Sequence, residues 1–480
     1  MAQYDLILRG GTVIDGSRRA RYQADVGVSG DRIARIGSLQ GDSAGVEIDA
    51  AGKIVAPGFI DAHTHDDRLM LSAPDMAPKA SQGVTTVVAG NCGVSLAPLQ
   101  LGSREAPPPL DLIGDTGAYR YATFKAYVEE LEAKPSATNA ALLIGHTTLR
   151  VRFLQDVGKP AGEKEIRQMQ ESVEEALEAG AVGCSTGLYY EPARAAPTEE
   201  VIEVCRPLTA RKALYCTHMR DEGDHVTDSL EETFRIGREL GVPVVVSHHK
   251  VVGTANAGRS RETLPLIAER MKSQSIGLDC YPYCASSTIL TADRAANATK
   301  TLVTWSKKHP EYSGMDLAAL AAKLNLSAEE TVRKIIPAGA IYFMMDEADV
   351  QRILAWEHTM VGSDGLPHDT APHPRLWGTF PRVLGHYARG LGLFPLETAV
   401  YKMTGLTAKT FGLKDRGEVR EGAYADLCVF DAGTVDETAT FAKSINPAKG
   451  IETVIANGAI TWRNGKPTGA RPGRVLRRVP

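Results

Sequence analysis

Residues 58–67 read GFIDAHTHDD. A short apolar run at Phe59 and Ile60 opens into two histidines, His63 and His65, one residue apart. In a strand, residues i and i+2 project to the same side, so both imidazoles would leave the strand tip together, as two donors of a metal grip. The same design recurs along the chain. VTTVVAGNCG from Val84, AALLIGHTTLR from Ala140, GAVGCSTGL from Gly180, ALYCTHMR from Ala213, VPVVVSHHK from Val242, IGLDCYPY from Ile276 and TMVGSDG from Thr359 each have an apolar body and a polar tip. Amphipathic stretches such as EKEIRQMQESVEEALEAG and SLEETFRIGRELG lie between several of them, and each stops at Gly, a usual helix-end residue. Eight such units predict an α/β fold, a (β/α)8 TIM-like barrel. A doubly wound sheet is the alternative, but no glycine-rich phosphate loop follows the first strand.

The two ends of the chain have a different rhythm. YDLILRGGTVIDG and ADVGVSGDRIARIG alternate apolar and polar residues between glycines. IETVIANGAITWRNGKP does the same around two Asn-Gly turn signals, Asn457-Gly458 and Asn464-Gly465. Neither end can close a core alone, which predicts one small β domain built from both. The expected organisation is residues 1–57 for its first part, 58–410 for the barrel and 411–480 for its second part. The gap between the seventh and eighth strands is longer than the others, and its segment at about 284–340 reads as an insertion near the barrel mouth, a lid.

With 43% apolar and 23% charged residues the chain has an ordinary globular balance. A net charge of −4 without a long basic block argues against nucleic acid or an anionic membrane as partner. No run approaches the roughly 18 apolar residues of a membrane span, and the first residues lack the pattern of a secretory signal. The seven cysteines are odd in number and scattered, which suits free thiols in a reducing compartment and predicts a cytoplasmic protein.

In such barrels the reactive residues sit at the C-terminal ends of the strands. Those ends carry His63 and His65 on the first, Cys92 after the second, His146 on the third, His218 on the fifth, His248 and His249 on the sixth and Asp364 on the eighth. A lone His-x-His or a lone buried cysteine is more often structural. Imidazole, thiolate and carboxylate together at one mouth are the donor set that Zn²⁺ favours. Period two separates neighbours further: if His248 is a ligand, Lys250 shares its face and His249 points outward. Lys250 is then a natural handle for a substrate anion. Arg220 falls on the face of His218, somewhat beyond it.

These residues resemble the amidohydrolase superfamily and, more narrowly, its N-acyl-D-amino-acid deacylases (D-aminoacylases). The likeness is carried by PGFIDAHTH, THMRDEG, SHHK and SDGLPHD, and by the longer GVTTVVAGNCGVSLAPL, EEVIEVCRPL, PAGAIYFMMDEADVQRIL and HPRLWGTFPRVLGHY. The resemblance implies a barrel, a small β-sandwich formed by both termini and an insertion lid. It implies a tight zinc held by Cys92, His218 and His248, and a second, weaker metal position at His63, His65 and Asp364. Many relatives in the wider superfamily bridge two metals with a carboxylated lysine after strand four. Here that strand ends CSTGL, and Cys92 would take the bridging place.

Amide hydrolysis needs a nucleophile at neutral pH, a polarised carbonyl and a protonated leaving amine. Zinc supplies the first two, and Asp364 is the candidate general base and then general acid. The substrate implied is a small N-acyl-D-amino acid with a free α-carboxylate. Lys250 is the first candidate to bind that carboxylate, and Tyr281, Ser287 and Arg375 join it by resemblance, since charge-assisted hydrogen bonds are the strong ones. Tyr342 and Met345 are candidates to line the side-chain pocket. Arg294 is placed to pair with an acidic side chain, which tilts the expectation toward N-acyl-D-glutamate, with neutral residues such as D-leucine or D-methionine as the alternative. The D configuration rests on the resemblance alone, and oligomeric state has no signature here. Among rival readings, a cyclic amidohydrolase of hydantoinase or dihydroorotase type lacks its strand-four lysine. A mononuclear deaminase with Glu222 as acid leaves Cys92 without a role. A metal-free scaffold predicts lost ligands, yet all six are present.

Overall fold

The computed structural model describes residues 3–479; Met1, Ala2 and Pro480, which the terminal domain was expected to include, lie outside the described residues. Eight parallel strands form the centre: β1 (Phe59–Asp61), β2 (Val84–Ala89), β3 (Asn139–Gly145), β4 (Gly183–Gly187), β5 (Leu214–His218), β6 (Val244–Val246), β7 (Ile276–Cys280) and β8 (Thr359–Val361). They lie side by side in chain order. The circle closes where the chain beyond β8 meets the chain beyond β1. There the Ala62 N–H donates to the Val361 carbonyl (3.2 Å), the Asp364 N–H donates to the His63 carbonyl (2.7 Å), and Thr64 pairs with Gly365. Each of the eight strands read from the sequence is present.

Alternation along the strands builds two apolar layers. In β3, Ala141 and Leu143 face the barrel interior with Val88, Val182, Leu214, Val245 and Met360. Their neighbours Ala140, Leu142 and Ile144 face the surrounding helices. Phe411, Leu413 and Leu476 from beyond the barrel pack into the interior cluster. The helix Glu163–Ala179 shows how the outer ring forms. Met169, Val173, Ala176 and Leu177 make one buried stripe, acidic Glu163 and Glu165 open the first turn, and Gly180 at φ 113° ends it. The strand bodies are thus filled with hydrocarbon, and polar groups collect beyond their C-terminal ends.

Both ends of the chain enter one mixed sheet of nine strands among the described residues. The join is the antiparallel pair Ile54–Pro57 and Leu427–Phe430. Leu6, Leu8, Val26, Val28, Val55, Val429 and Ile455 form its own core. The two Asn-Gly pairs make the hairpin turns, with φ of 45° and 80° at Asn457 and Gly458, and 54° and 76° at Asn464 and Gly465. Positive φ at both central residues is what a tight hairpin turn demands.

The insertion between β7 and β8 holds a three-stranded antiparallel sheet, Ala285–Ile289, Ala338–Phe343 and Lys300–Ser306. Helices Leu317–Leu324 and Ala328–Ile335 cover it, the second opened by a reciprocal Ser327–Glu330 cap. No helix among the described residues is long and apolar enough to cross a membrane.

Candidate active site

Two groups of buried donors meet at the C-terminal mouth. In one, Cys92, His218 and His248 place ligand atoms within 4.8 Å of one another; in the other, His63, His65, Cys92 and Asp364 do the same. Cys92 belongs to both. Its Sγ lies 3.3 Å from His63 Nε2 and 3.2 Å from His248 Nε2. Asp364 Oδ1 is 3.2 Å from His65 Nε2 and 3.6 Å from His63 Nε2.

The backbone is bent to aim these side chains. Cys92, His248 and Asp364 have φ of 54°, 37° and 49°, a left-handed conformation that costs about 1–3 kcal/mol at a residue with a Cβ. The left-handed residue at position 248 breaks the alternation set by inward Val245, so His248 turns into the mouth while His249 Nε2 pairs with Thr263 Oγ1 (2.9 Å) on the helix Ser260–Met271. Gly187, at the tip of β4, leaves no room for a side chain there. A Cβ there would sit 2.1 Å from the Cys92 carbonyl oxygen, so the loop carrying Cys92 fills the space a longer residue would need.

The donor set fits a borderline-soft divalent ion. Both His218 ring nitrogens are buried without a hydrogen-bond partner among the described residues, an expensive state unless something binds them. Burial, reinforced by the charge of Asp364, pushes the Cys92 thiol well above its ordinary pKa, and burial holds the His218 imidazole well below its own. Burial alone would raise the Asp364 carboxyl; Arg375, then His65, outweigh it and hold the group well below the usual range. Arg375 Nη1 lies 2.9 Å from Asp364 Oδ2, and its Nη2 donates to the Ser287 carbonyl (3.1 Å).

Lys250 lies on the face of His248, with Nζ 2.6 Å from Glu222 Oε1 and 2.8 Å from His248 Nδ1. Glu222 Oε1 is also 3.1 Å from His248 Nδ1. Nδ1 thus faces both an acceptor, Glu222, and the Lys250 ammonium, which can only donate; the tautomer a metal ligand requires is the one with Nδ1–H toward Glu222 and the Nε2 lone pair toward Cys92. The ring of Tyr281 receives the Arg375 guanidinium at 4.6 Å. Arg294, on the helix Ala292–Ala296, is buried over Tyr189 (4.9 Å) and Tyr342 (5.6 Å), and its Nε has no hydrogen-bond partner among the described residues.

Other expected residues lie apart. The Tyr342 hydroxyl is engaged inside the insertion by the Ile289 carbonyl and the Thr291 N–H. Met345 lies against the Tyr281 hydroxyl (3.8 Å) behind Lys250, while Met344 is the methionine that lines the larger cavity with Arg294. Arg220 is paired with Glu232. His146 is buried next to Glu200 and joins neither donor group.

Three residues stand directly behind the donors, of which the sequence analysis named only Glu222, as the acid of a rival deaminase. Glu222 backs His248. Asp279, fully buried on β7, faces His63 Nδ1 at 3.6 Å. Lys79 sends its ammonium to Asp61 (2.7 Å), Thr64 (2.9 Å) and Ser363 (2.8 Å), tying the His63–His65 segment to the residue before Asp364. The position of Glu222, four residues past His218, is a signal the sequence does carry. Lys79 and Asp279 have none.

A model of the amidohydrolase family matches residues 46–332 and 330–466. The chain is 58% identical to a D-aminoacylase of Alcaligenes xylosoxydans xylosoxydans over 99% of its own length and 98% of the relative's. It is 47% identical to an N-acyl-D-glutamate deacylase from the same organism, over 99% and 96%. The crystal structure of an N-acyl-D-glutamate deacylase from Bordetella bronchiseptica, complexed with zinc and a phosphonate mimic of the tetrahedral intermediate, superposes with a TM-score of 0.96 at 45% identity, covering 99% of each chain. The chain belongs to the amidohydrolase family, in its branch of D-aminoacylases and N-acyl-D-amino-acid deacylases.

Proposed function

We propose that this protein is a zinc-dependent cytoplasmic hydrolase that cleaves the amide bond of N-acyl-D-amino acids, releasing a carboxylate and a free D-amino acid. The observation that carries the reading is the buried group of one thiol and two imidazoles, Cys92, His218 and His248, with the Asp364 carboxylate beside it in the same mouth. Those three residues would hold the tight ion, and His63, His65 and Asp364 a second, weaker one. A bound zinc ion supplies Lewis acidity to the amide carbonyl and makes water acidic near neutral pH.

The remaining work falls to the chain. Asp364, kept anionic by Arg375, accepts the proton of the attacking water and returns it to the leaving nitrogen. Lys250, Tyr281, Ser287 and Arg375 surround the position for the α-carboxylate. Lys250 arrives already paired with Glu222, so it shares its charge between the two acids. Beside Glu222 a cavity of about 610 Å³ is lined by Tyr189, Arg294, Asn297 and Met344. The unpartnered Arg294 Nε favours an acidic side chain, hence N-acyl-D-glutamate. A neutral side chain is the second reading, because Tyr189 and Tyr342 already hold the Arg294 charge against their rings.

A hydrolysis screen of N-acetyl-D- and N-acetyl-L-amino acids, run with elemental analysis of the purified enzyme, tests both levels. Turnover of D-compounds over L-compounds with bound zinc is expected. Absence of D-turnover defeats the deacylase reading, whereas poor turnover of N-acetyl-D-glutamate beside N-acetyl-D-methionine defeats only the side-chain preference.

A further inference from the structure

The insertion between β7 and β8 meets the rest of the molecule along its strand Ala285–Ile289. That strand is the edge of the three-stranded sheet and, among the described residues, pairs only with Ala338–Phe343. Antiparallel pairing uses the backbone groups of alternate residues. The Leu290 N–H donates to the Ala338 carbonyl (2.7 Å), so Ser286 and Thr288 bond into the sheet, and the carbonyls of Ala285 and Ser287 point out of its free edge. Both residues are buried, so those two carbonyls need partners.

The partners come from one short segment beyond β8. His373 Nε2 lies 3.0 Å from the Ala285 carbonyl oxygen, and the Arg375 guanidinium donates to the Ser287 carbonyl at 3.1 Å. The other ring nitrogen of His373, Nδ1, accepts from the Arg375 N–H at 2.9 Å. A backbone N–H can only donate and a carbonyl can only accept, so the ring is neutral with its proton on Nε2. Burial, then the Arg375 charge, holds this imidazole well below its ordinary pKa. Two rings meet it edge to face: Tyr283, at the root of the insertion, at 5.1 Å, and Phe441, between two strands of the terminal sheet, at 5.0 Å.

We propose that His373 is a positioning residue, which locks the edge of the insertion onto the barrel and thereby sets Arg375 against Asp364. One strand is held at Ala285 by the His373 ring and at Ser287 by Arg375 itself. The place of the guanidinium therefore depends on where the insertion sits, and from that place Arg375 Nη1 reaches Asp364 Oδ2 at 2.9 Å. The lock itself goes beyond the deacylase reading, while its effect on hydrolysis rests on that reading.

Two near-isosteric variants separate the two bonds of the ring. His373→Asn keeps an acceptor where Nδ1 stood and loses the donor to Ala285; His373→Gln keeps a donor where Nε2 stood and loses the acceptor. Hydrogen–deuterium exchange of the purified full-length enzyme reads the lock directly. A buried carbonyl left without a donor weakens the edge, so amides of 285–289 and 338–343 should exchange about tenfold faster in His373→Asn and within about twofold of wild type in His373→Gln. A small displacement at the reacting centre can cost about 100-fold, so kcat/KM for an N-acetyl-D-amino acid should fall at least about tenfold in His373→Asn and be largely recovered in His373→Gln. Zinc content should be the same in all three proteins. Exchange unmoved in His373→Asn, or raised alike in both variants, overturns the lock; activity unmoved where exchange rises overturns its link to Arg375. Where His373→Asn does not fold, His373→Gln decides alone, and exchange at 285–289 well above wild type overturns the proposal. A wild-type enzyme that turns over no D-compound defeats the deacylase reading instead, and the exchange comparison still decides the lock.

Discussion

Behind Cys92, His218 and His248 stands a carboxylate; against Asp364, on the other side of the shared thiol, stands a cation. Glu222 lies 3.1 Å from His248 Nδ1 and 3.7 Å from His218 Nε2, while its own charge is matched by Lys250. Arg375 instead touches a ligand atom itself, Asp364 Oδ2, at 2.9 Å, and Asp279 is 3.6 Å from His63, beyond hydrogen-bond distance. A carboxylate behind an imidazole makes the ring a better donor. A guanidinium on a ligand carboxylate competes with any ion that would bind there. Two donor groups of similar composition are therefore unequal: the first is prepared for a cation, and the second already contains one.

The largest effect follows from removing a donor of the first group. Cys92→Ala or His218→Ala is expected to abolish stoichiometric zinc and to lower activity by more than the roughly 100-fold that a backing residue is worth. His65→Ala should leave one zinc per chain in place. Elemental analysis of the three purified variants reads the difference, and equal zinc loss from His65→Ala would erase the asymmetry.

A smaller effect is expected one layer out. Glu222→Gln keeps the shape but weakens the acceptor for His248, and zinc affinity should fall by about 10–100-fold in a chelator competition. The same change leaves Lys250 without a counter-charge, which also repels an ion. The double variant Glu222→Gln, Lys250→Met separates the two causes: affinity restored by the second change assigns the loss to the bare ammonium, and affinity still low assigns it to the imidazole.

These backing groups mark where reading from sequence stops. The eight strands were legible because each couples an apolar body to a polar tip, and period two alone separated His248 from His249. Yet strict alternation from Val245 would have sent His249 inward; the reading chose His248 as a ligand by hypothesis, and the left-handed φ at that residue makes the geometry possible. Nothing in SHHK announces such a turn. Lys79 lies in a four-residue helix, Ala77–Ala80, with no motif around it, and its partners Asp61 and Ser363 are 18 and 284 residues away. Contacts of that kind depend on barrel closure and leave no local trace. The sheet of the insertion leaves no local trace for a related reason: its strands pair across a helical pair. Met344 and Met345 show the limit at single-residue scale, since adjacent positions on an extended segment face different cavities and the sequence does not say which.

The finest test of the asymmetry lies at Arg375. Its guanidinium is fully buried between Asp364, the Ser287 carbonyl and the Tyr281 ring, and Asp364 is the carboxylate beside it in this structure. Arg375→Met removes the charge while keeping much of the apolar bulk. An adjacent guanidinium shifts a carboxylate by about 1–3 pKa units toward its charged form, a preference an incoming metal ion must overcome in the same way. The low end of that range corresponds to about tenfold. A calorimetric zinc titration of Arg375→Met should therefore show the second binding event strengthened about tenfold with the first unchanged, even as hydrolysis falls through the loss of Asp364 orientation. A second event that stays as weak as in the wild type would mean that the geometry of His63 and His65, and not the cation beside Asp364, sets the difference between the two donor groups.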